Sequence, residues 1–254
     1  MGNRITDTVK ELREYRFLPY YNDKNEQRYV NYKQANREMS WEDIITRVEI
    51  GLDHDYYTQV GQISCPDLIT VLVNKYRMLD GEYIPGDLEV IKSEYNSHTL
   101  MLRHDARIAF EKMCDAALQE GMQLKAISTF RSFLYQKQVY YRYWTNEVSL
   151  PDYQSRRDRV SARAGHSEHQ TGLAVDINDL EQTFAETPEG VWLAKHCYEY
   201  GFILRYPKGK EEITGYDYEP WHFRYFGQEL AEEIHLTGLT YDEFYVRYLK
   251  KELR

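Results

Sequence analysis

Apolar positions along this chain recur with two different periods, and the switch between them outlines the fold. Trp41, Ile44, Ile45 and Val48 repeat at helical spacing behind Ser40, a capping residue, and stop before Gly51, which predicts a helix. A second amphipathic helix is expected over residues 106–120, where Ala106, Phe110, Met113 and Ala117 share one face and Gly121 ends the run. The period then falls to two. Leu173, Val175 and Ile177 alternate with Ala174, Asp176 and Asn178, the pattern of a half-buried strand with Asp176 opposite the apolar face. Residues 122–128 read as a strand, and Ser132 opens a helix to about residue 146. Thr187 caps another helix, with Pro188 at its first position and Gly201 past its end. Residues 202–206 and 221–226 read as two strands of a late antiparallel hairpin.

Residues 1–39 show no period and are expected to form an extended lead-in. The apolar run over residues 67–79 ends at Asp80-Gly81, where turn chemistry begins. These features divide the chain into a partly helical lead-in, residues 1–66, and a larger unit, residues 67–254. Strands separated by helices, closing on a hairpin, predict an α+β fold: a small antiparallel sheet with flanking helices.

Composition narrows the possibilities further. With 254 residues, 42% of them hydrophobic, the chain can build a core. The net charge of -9 argues against nucleic acid or an anionic membrane as a partner. No run is long and apolar enough to cross a membrane, and residues 1–30 lack the apolar stretch of an export signal. Cys65, Cys114 and Cys197 are scattered, lack CxxC spacing, and read as buried free thiols. Tyr140, Tyr141 and Tyr143 with Trp144 read as a packing face rather than a sugar platform.

Two segments carry the candidate chemistry: Ser167-Glu168-His169-Gln170-Thr171-Gly172-Leu173-Ala174-Val175-Asp176, and Glu219-Pro220-Trp221-His222. A catalytic zinc needs three protein ligands, an open position for water and a nearby base. These residues supply such a set. Spacing leaves His166 and His169 as rival ligands, with His169 favoured because Gly172 lets the backbone turn into the strand bearing Asp176. Glu219 and His222 would face opposite sides of an unbroken strand, so joint service at one metal requires the backbone to deviate. Pro220 supplies a reason for it to do so. His54, His98, His104, His196 and His235 have no metal-like company.

The pattern Ser167-x-His169-x2-Gly172-x-Ala174-x-Asp176 followed by Glu219-Pro220-Trp221-His222 resembles the VanY-type zinc D,D-carboxypeptidases. That family also includes L,D-carboxypeptidases and, more distantly, phage endolysin peptidases and the Hedgehog signalling domain. Ser128-Thr129-Phe130-Arg131-Ser132 and the segment from Gly201 to Tyr216 extend the resemblance to roughly residues 68–240. Thr129 stands where a Gly is usual and Ala164 where a Pro is usual. The resemblance implies a zinc site in a cleft on the sheet, with one zinc per chain held by His169, Asp176 and His222. It implies Glu219 as general base and Arg131 as the substrate and oxyanion arginine. Gln136 and Ser167 resemble residues that hold the substrate's terminal carboxylate.

The implied reaction is removal of a terminal D-Ala from peptidoglycan stem peptides or their precursors. The neighbouring alternative is L,D-carboxypeptidase trimming of tetrapeptide stems. A reading from another class is a zinc-stabilised cell-wall-binding module without catalysis, against which the retained Glu219 argues. The partner is then a stem peptide ending in D-Ala, met by a monomer at the extracellular face of a bacterial cell. A cytoplasmic enzyme acting on precursors is the alternative location.

Overall fold

A computed structural model describes residues 10–250; the first nine residues of the expected lead-in lie outside them. The chain divides into two compact units, one formed by the chain before Val60 together with the chain from Tyr241 onward, the other by Val60–Thr240.

In the first unit, helix Trp41–Ile50 begins at Ser40, whose Oγ accepts the Asp43 N–H at 3.1 Å, and stops at left-handed Gly51. The expected extended lead-in is instead partly helical: Glu26–Ala35 is a helix. It buries only Tyr29 and Val30, too few positions to show as a stripe in the sequence. Tyr29 donates to Glu49 Oε1 at 2.5 Å, and Lys250 Nζ donates to Glu49 Oε2 at 2.6 Å.

The second unit has two minor two-stranded ribbons and one four-stranded sheet. Strands β1 (Gly61–Gln62) and β2 (Arg77–Met78) pair in parallel, and β3 (Leu88–Val90) pairs antiparallel with β4 (Met101–Arg103). The main sheet comprises β5 (Ala126–Ser128), β6 (Ala174–Ile177), β7 (Phe202–Leu204) and β8 (His222–Tyr225), in the spatial order β5-β6-β8-β7 and antiparallel throughout. Strand alternation sorts its side chains onto two faces. Val175, Ile177, Phe202 and Phe223 join the core, where helix His104–Gln119 contributes Ala106, Phe110, Met113, Cys114 and Ala117. Asp176, His222 and Arg224 fall on the reverse face.

That reverse face is not open to water. Ala174 and Asp176 are 0% and 4% exposed, so the strand expected to be half-buried is buried on both sides. Its polar face is the floor of a cleft. β5 carries an irregularity: Ala126 pairs with Ile177 and Ser128 with Asp176, so two steps on β5 oppose one on β6. Such a bulge re-aims a side chain, and here it sets Ser128 beside Asp176.

Helix Phe133–Tyr141 is capped by Ser132 as expected but ends five residues before residue 146. A further helix, Leu150–Arg157, was signalled by Ser149, whose Oγ accepts the Asp152 N–H, and by Pro151 in its first turn. Cys114 and Cys197 are buried free thiols, whereas Cys65 is exposed, contrary to expectation, because it lies in an irregular surface stretch.

Candidate active site

Three donors converge on the sheet's polar face. Asp176 and His222 are cross-strand register partners on β6 and β8, which brings His222 Nδ1 to 3.0 Å from Asp176 Oδ1. His169 comes from a 3-10 turn, Glu168–Thr171, that enters β6 through Gly172 at φ 66. A Cβ there would meet Leu88 Cδ2 at 2.8 Å and Arg103 Cγ at 3.1 Å, so the position calls for glycine on both counts. His169 Nε2 lies 3.2 Å from Asp176 Oδ2. Ligand atoms of His169, Asp176 and His222 all fall within 4.8 Å of one another, and all three residues are buried.

The ring orientations suit a cation. His169 Nδ1–H donates to the Thr129 carbonyl at 2.7 Å, which leaves the Nε2 lone pair for the cluster. Burial, reinforced by the nearby Arg131 guanidinium, pushes His169 down to about 4, so the ring is neutral near pH 7. Burial alone would raise Asp176, but His169 and His222 hold its carboxyl well below the ordinary range. Burial opposes a charge on His222 as well, yet acceptors on Asp176 and Glu168 lift it to about 9. Two imidazole nitrogens and a carboxylate, with no thiolate, are a donor set for zinc.

Glu219 precedes β8 rather than belonging to it. The His222 N–H donates to the Glu219 carbonyl at 3.2 Å, so residues 219–222 form a turn. The turn removes the face conflict and leaves Glu219 Oε2 3.8 Å from His222 Nδ1. Burial raises the Glu219 carboxyl to about 7. Arg131 is tied by its backbone N–H to the His169 carbonyl at 3.1 Å. Its Nη1 donates to Ser128 Oγ at 3.2 Å and lies 4.0 Å from Asp176 Oδ2. One-fifth of that side chain is exposed, 20%, so it can meet a ligand.

Other expected site residues are placed differently. Ser167 lines the cleft, its Oγ accepting the His169 N–H at 3.3 Å. Gln136 is buried and absent from the lining; its amide donates to the carbonyl of Ala162, a lining residue, at 2.7 Å. His166 turns away from the cluster, with Nδ1–H donating to the Asn74 carbonyl at 2.8 Å. The imidazole in the cluster is therefore His169.

The cleft encloses about 470 Å³ and reaches outward past Tyr206, Tyr216, Tyr143 and Arg157. Sequence reasoning assigned no role to Glu168, Arg205 or Arg224, although Glu168 sits inside the first motif. The Arg205 Nε donates to Glu168 Oε1 at 2.8 Å, and Arg224 Nη1 lies 3.2 Å from the same oxygen. Only an acid flanked by two ligand-like residues, Ser167 and His169, hinted at this in the sequence.

A His-Asp-His donor cluster with a buried carboxylate and an arginine beside it, set on one face of a small antiparallel sheet, defines a hydrolase of the metallopeptidase kind. Comparison with known proteins agrees. The family profile described as VanY, D-alanyl-D-alanine carboxypeptidase, matches residues 99–228. The chain is 37% identical over 241 residues to the putative carboxypeptidase YodJ of Bacillus subtilis (strain 168), covering 89% of this chain and 84% of that protein. The solved LdcB LD-carboxypeptidase is similar at 39% identity and a TM-score of 0.68, covering 76% of this chain and 92% of that one. A zinc(II) complex of the vancomycin-resistance D,D-pentapeptidase VanY is similar at 31% identity and a TM-score of 0.59, covering 69% and 97%. This chain belongs to the VanY D-alanyl-D-alanine carboxypeptidase family, a family of enzymes. No helix among the described residues is long and apolar enough to cross a membrane.

Proposed function

We propose that this enzyme is a zinc carboxypeptidase that removes the terminal D-Ala from peptidoglycan stem peptides or their precursors, cutting between two D-alanines. The observation that carries the reading is the convergence of His169, Asp176 and His222 within 4.8 Å, with Glu219 beside them. These three residues would hold one zinc ion per chain. When bound, zinc supplies an acidified water and polarises the scissile carbonyl.

The remaining work falls to the protein's own groups. Glu219, lifted to about 7 by burial, accepts the water proton and returns it to the departing amine. Arg131 offers its planar fork to the developing oxyanion or to the substrate's terminal carboxylate, supplying the local cation that a chain of net charge -9 needs there. Ser167 contributes its hydroxyl on the cleft wall. Gln136 contributes by holding the Ala162 carbonyl, and so the wall, in place of the direct substrate contact that the family resemblance implies.

L,D-carboxypeptidase action on tetrapeptide stems is the second reading, supported by the similarity to the LdcB LD-carboxypeptidase. Incubation with muropeptides ending in pentapeptide and in tetrapeptide, read by mass, separates the two. Loss of alanine from the pentapeptide alone supports the D,D reading. Loss from the tetrapeptide alone overturns it in favour of L,D. A peptidoglycan substrate favours action at the extracellular face of a bacterial cell, with cytoplasmic action on precursors as the alternative; the enzyme is proposed to work as a monomer.

A further inference from the structure

His222 has two ring nitrogens, and each faces a carboxylate. Nδ1 faces Asp176 and Glu219, at 3.0 Å and 3.8 Å, whereas Nε2 points the other way, 3.5 Å from Glu168 Oε2. The Glu168 side chain is 0% exposed. Its other oxygen is engaged by Arg205 and Arg224, whereas Oε2 and His222 Nε2 are both buried, face each other at 3.5 Å and make no hydrogen bond to any described residue. Burying a carboxylate together with two arginines is costly unless each charge is compensated. The arrangement aligns Glu168 so that one oxygen serves the arginines and the other is left for His222.

We propose that Glu168 is a positioning residue of the metal site: its Oε2 draws the Nε2–H of His222 toward itself, so that Nδ1, which lies against Asp176 in the metal-free protein, is the nitrogen whose lone pair is left for a bound metal. The proposal rests on the zinc reading above. A ligating imidazole that donates its other N–H to a carboxylate is fixed in tautomer and orientation, and such partners alter metal affinity about 10–100-fold. The competing account is purely structural: Glu168 neutralises Arg205 and Arg224, and Arg224 in turn ties down the Ile69 and Val71 carbonyls at 2.9 and 3.2 Å.

Glu168→Gln and Glu168→Asp distinguish these accounts. In the Gln variant, keeping an acceptor oxygen toward the arginines turns the amide NH₂ toward Nε2, which favours the wrong tautomer. The Asp variant keeps the charge beside the arginines but withdraws the carboxylate by one methylene, so it tests the His222 contact even where Gln folds poorly. Zinc affinity of the folded proteins is measured by competition with a chromophoric chelator. The His222 Nε2–H resonance is followed in imidazole ¹⁵N–¹H spectra of the zinc-loaded forms. The expected result is about a 10–100-fold loss of zinc affinity in Gln, a smaller loss in Asp, and a displaced Nε2–H resonance in both. Folded variants with wild-type zinc affinity and an unmoved resonance overturn the proposal, even when their unfolding midpoint falls. Wild-type protein that takes up no zinc overturns the metal reading itself, before any variant is compared.

Discussion

Replacing Glu219 by Gln should make this enzyme slower and, without metal, more stable. The stability half follows from linkage. The carboxyl ordinarily titrates near 4.5 and is lifted to about 7 by burial in a side chain only 13% exposed. Below pH 4.5 both the folded and unfolded states hold this proton, and the site costs nothing. Between 4.5 and about 7 the unfolded chain has released the proton while the folded protein retains it, so stability falls as pH rises; above 7 the loss is complete. The gap corresponds to roughly 3 kcal/mol at about 1.4 kcal/mol per pH unit. Glutamine cannot ionise and escapes this penalty. In metal-free protein the advantage of Glu219→Gln over wild type should therefore be near zero at pH 4 and grow to roughly 3 kcal/mol at pH 8, read from urea unfolding. The catalytic half runs in the opposite direction. Loss of a general base costs about 10²–10⁴-fold in turnover. Zinc-loaded variant with near-normal kcat, or a stability difference that does not change between pH 4 and 8, would refute the assignment of Glu219 as a buried base.

Further outcomes test the rest of the site. His169→Ala, Asp176→Ala and His222→Ala should each abolish stoichiometric zinc in purified protein, because two donors are too few for a stable catalytic site. His166→Ala should retain zinc, since that ring turns to the Asn74 carbonyl; elemental analysis reads both results. Arg131→Lys keeps the charge but loses the two-pronged donor, so kcat/KM should fall more than about tenfold with zinc content unchanged. A lysine variant equal to wild type would show that charge alone suffices or that Arg131 lies away from the substrate, and an unimpaired alanine variant would establish the latter. Gly172→Ala combines a left-handed backbone with a 2.8 Å approach to Leu88, and should cost at least about 1 kcal/mol in unfolding experiments. An unchanged midpoint would show that the turn into β6 relaxes freely.

What the sequence determined by itself was set by short-range physics. Ser40, Ser132 and Thr187 cap helices because a hydroxyl reaches an amide three residues on, and each was legible without any partner in space. The two-residue alternation of β6 likewise placed Asp176 opposite Val175 and Ile177. The residue types of the candidate site were legible for the same reason, as a motif within a few positions.

Tertiary structure decided what depends on register and burial. Whether His166 or His169 joins the cluster is settled by the Asn74 and Thr129 carbonyls, which lie 92 and 40 residues away in the chain. The same holds for the bulge that sets Ser128 beside Asp176 and for the turn that frees Glu219 from its strand face. Glu168 was invisible as a partner because its role lies in contacts with Arg205, His222 and Arg224, brought together only by strand pairing. Proton affinities at the site arise in the same way. A carboxyl reaches about 7 only when the folded chain strips water from it, and no local pattern encodes that loss of solvent.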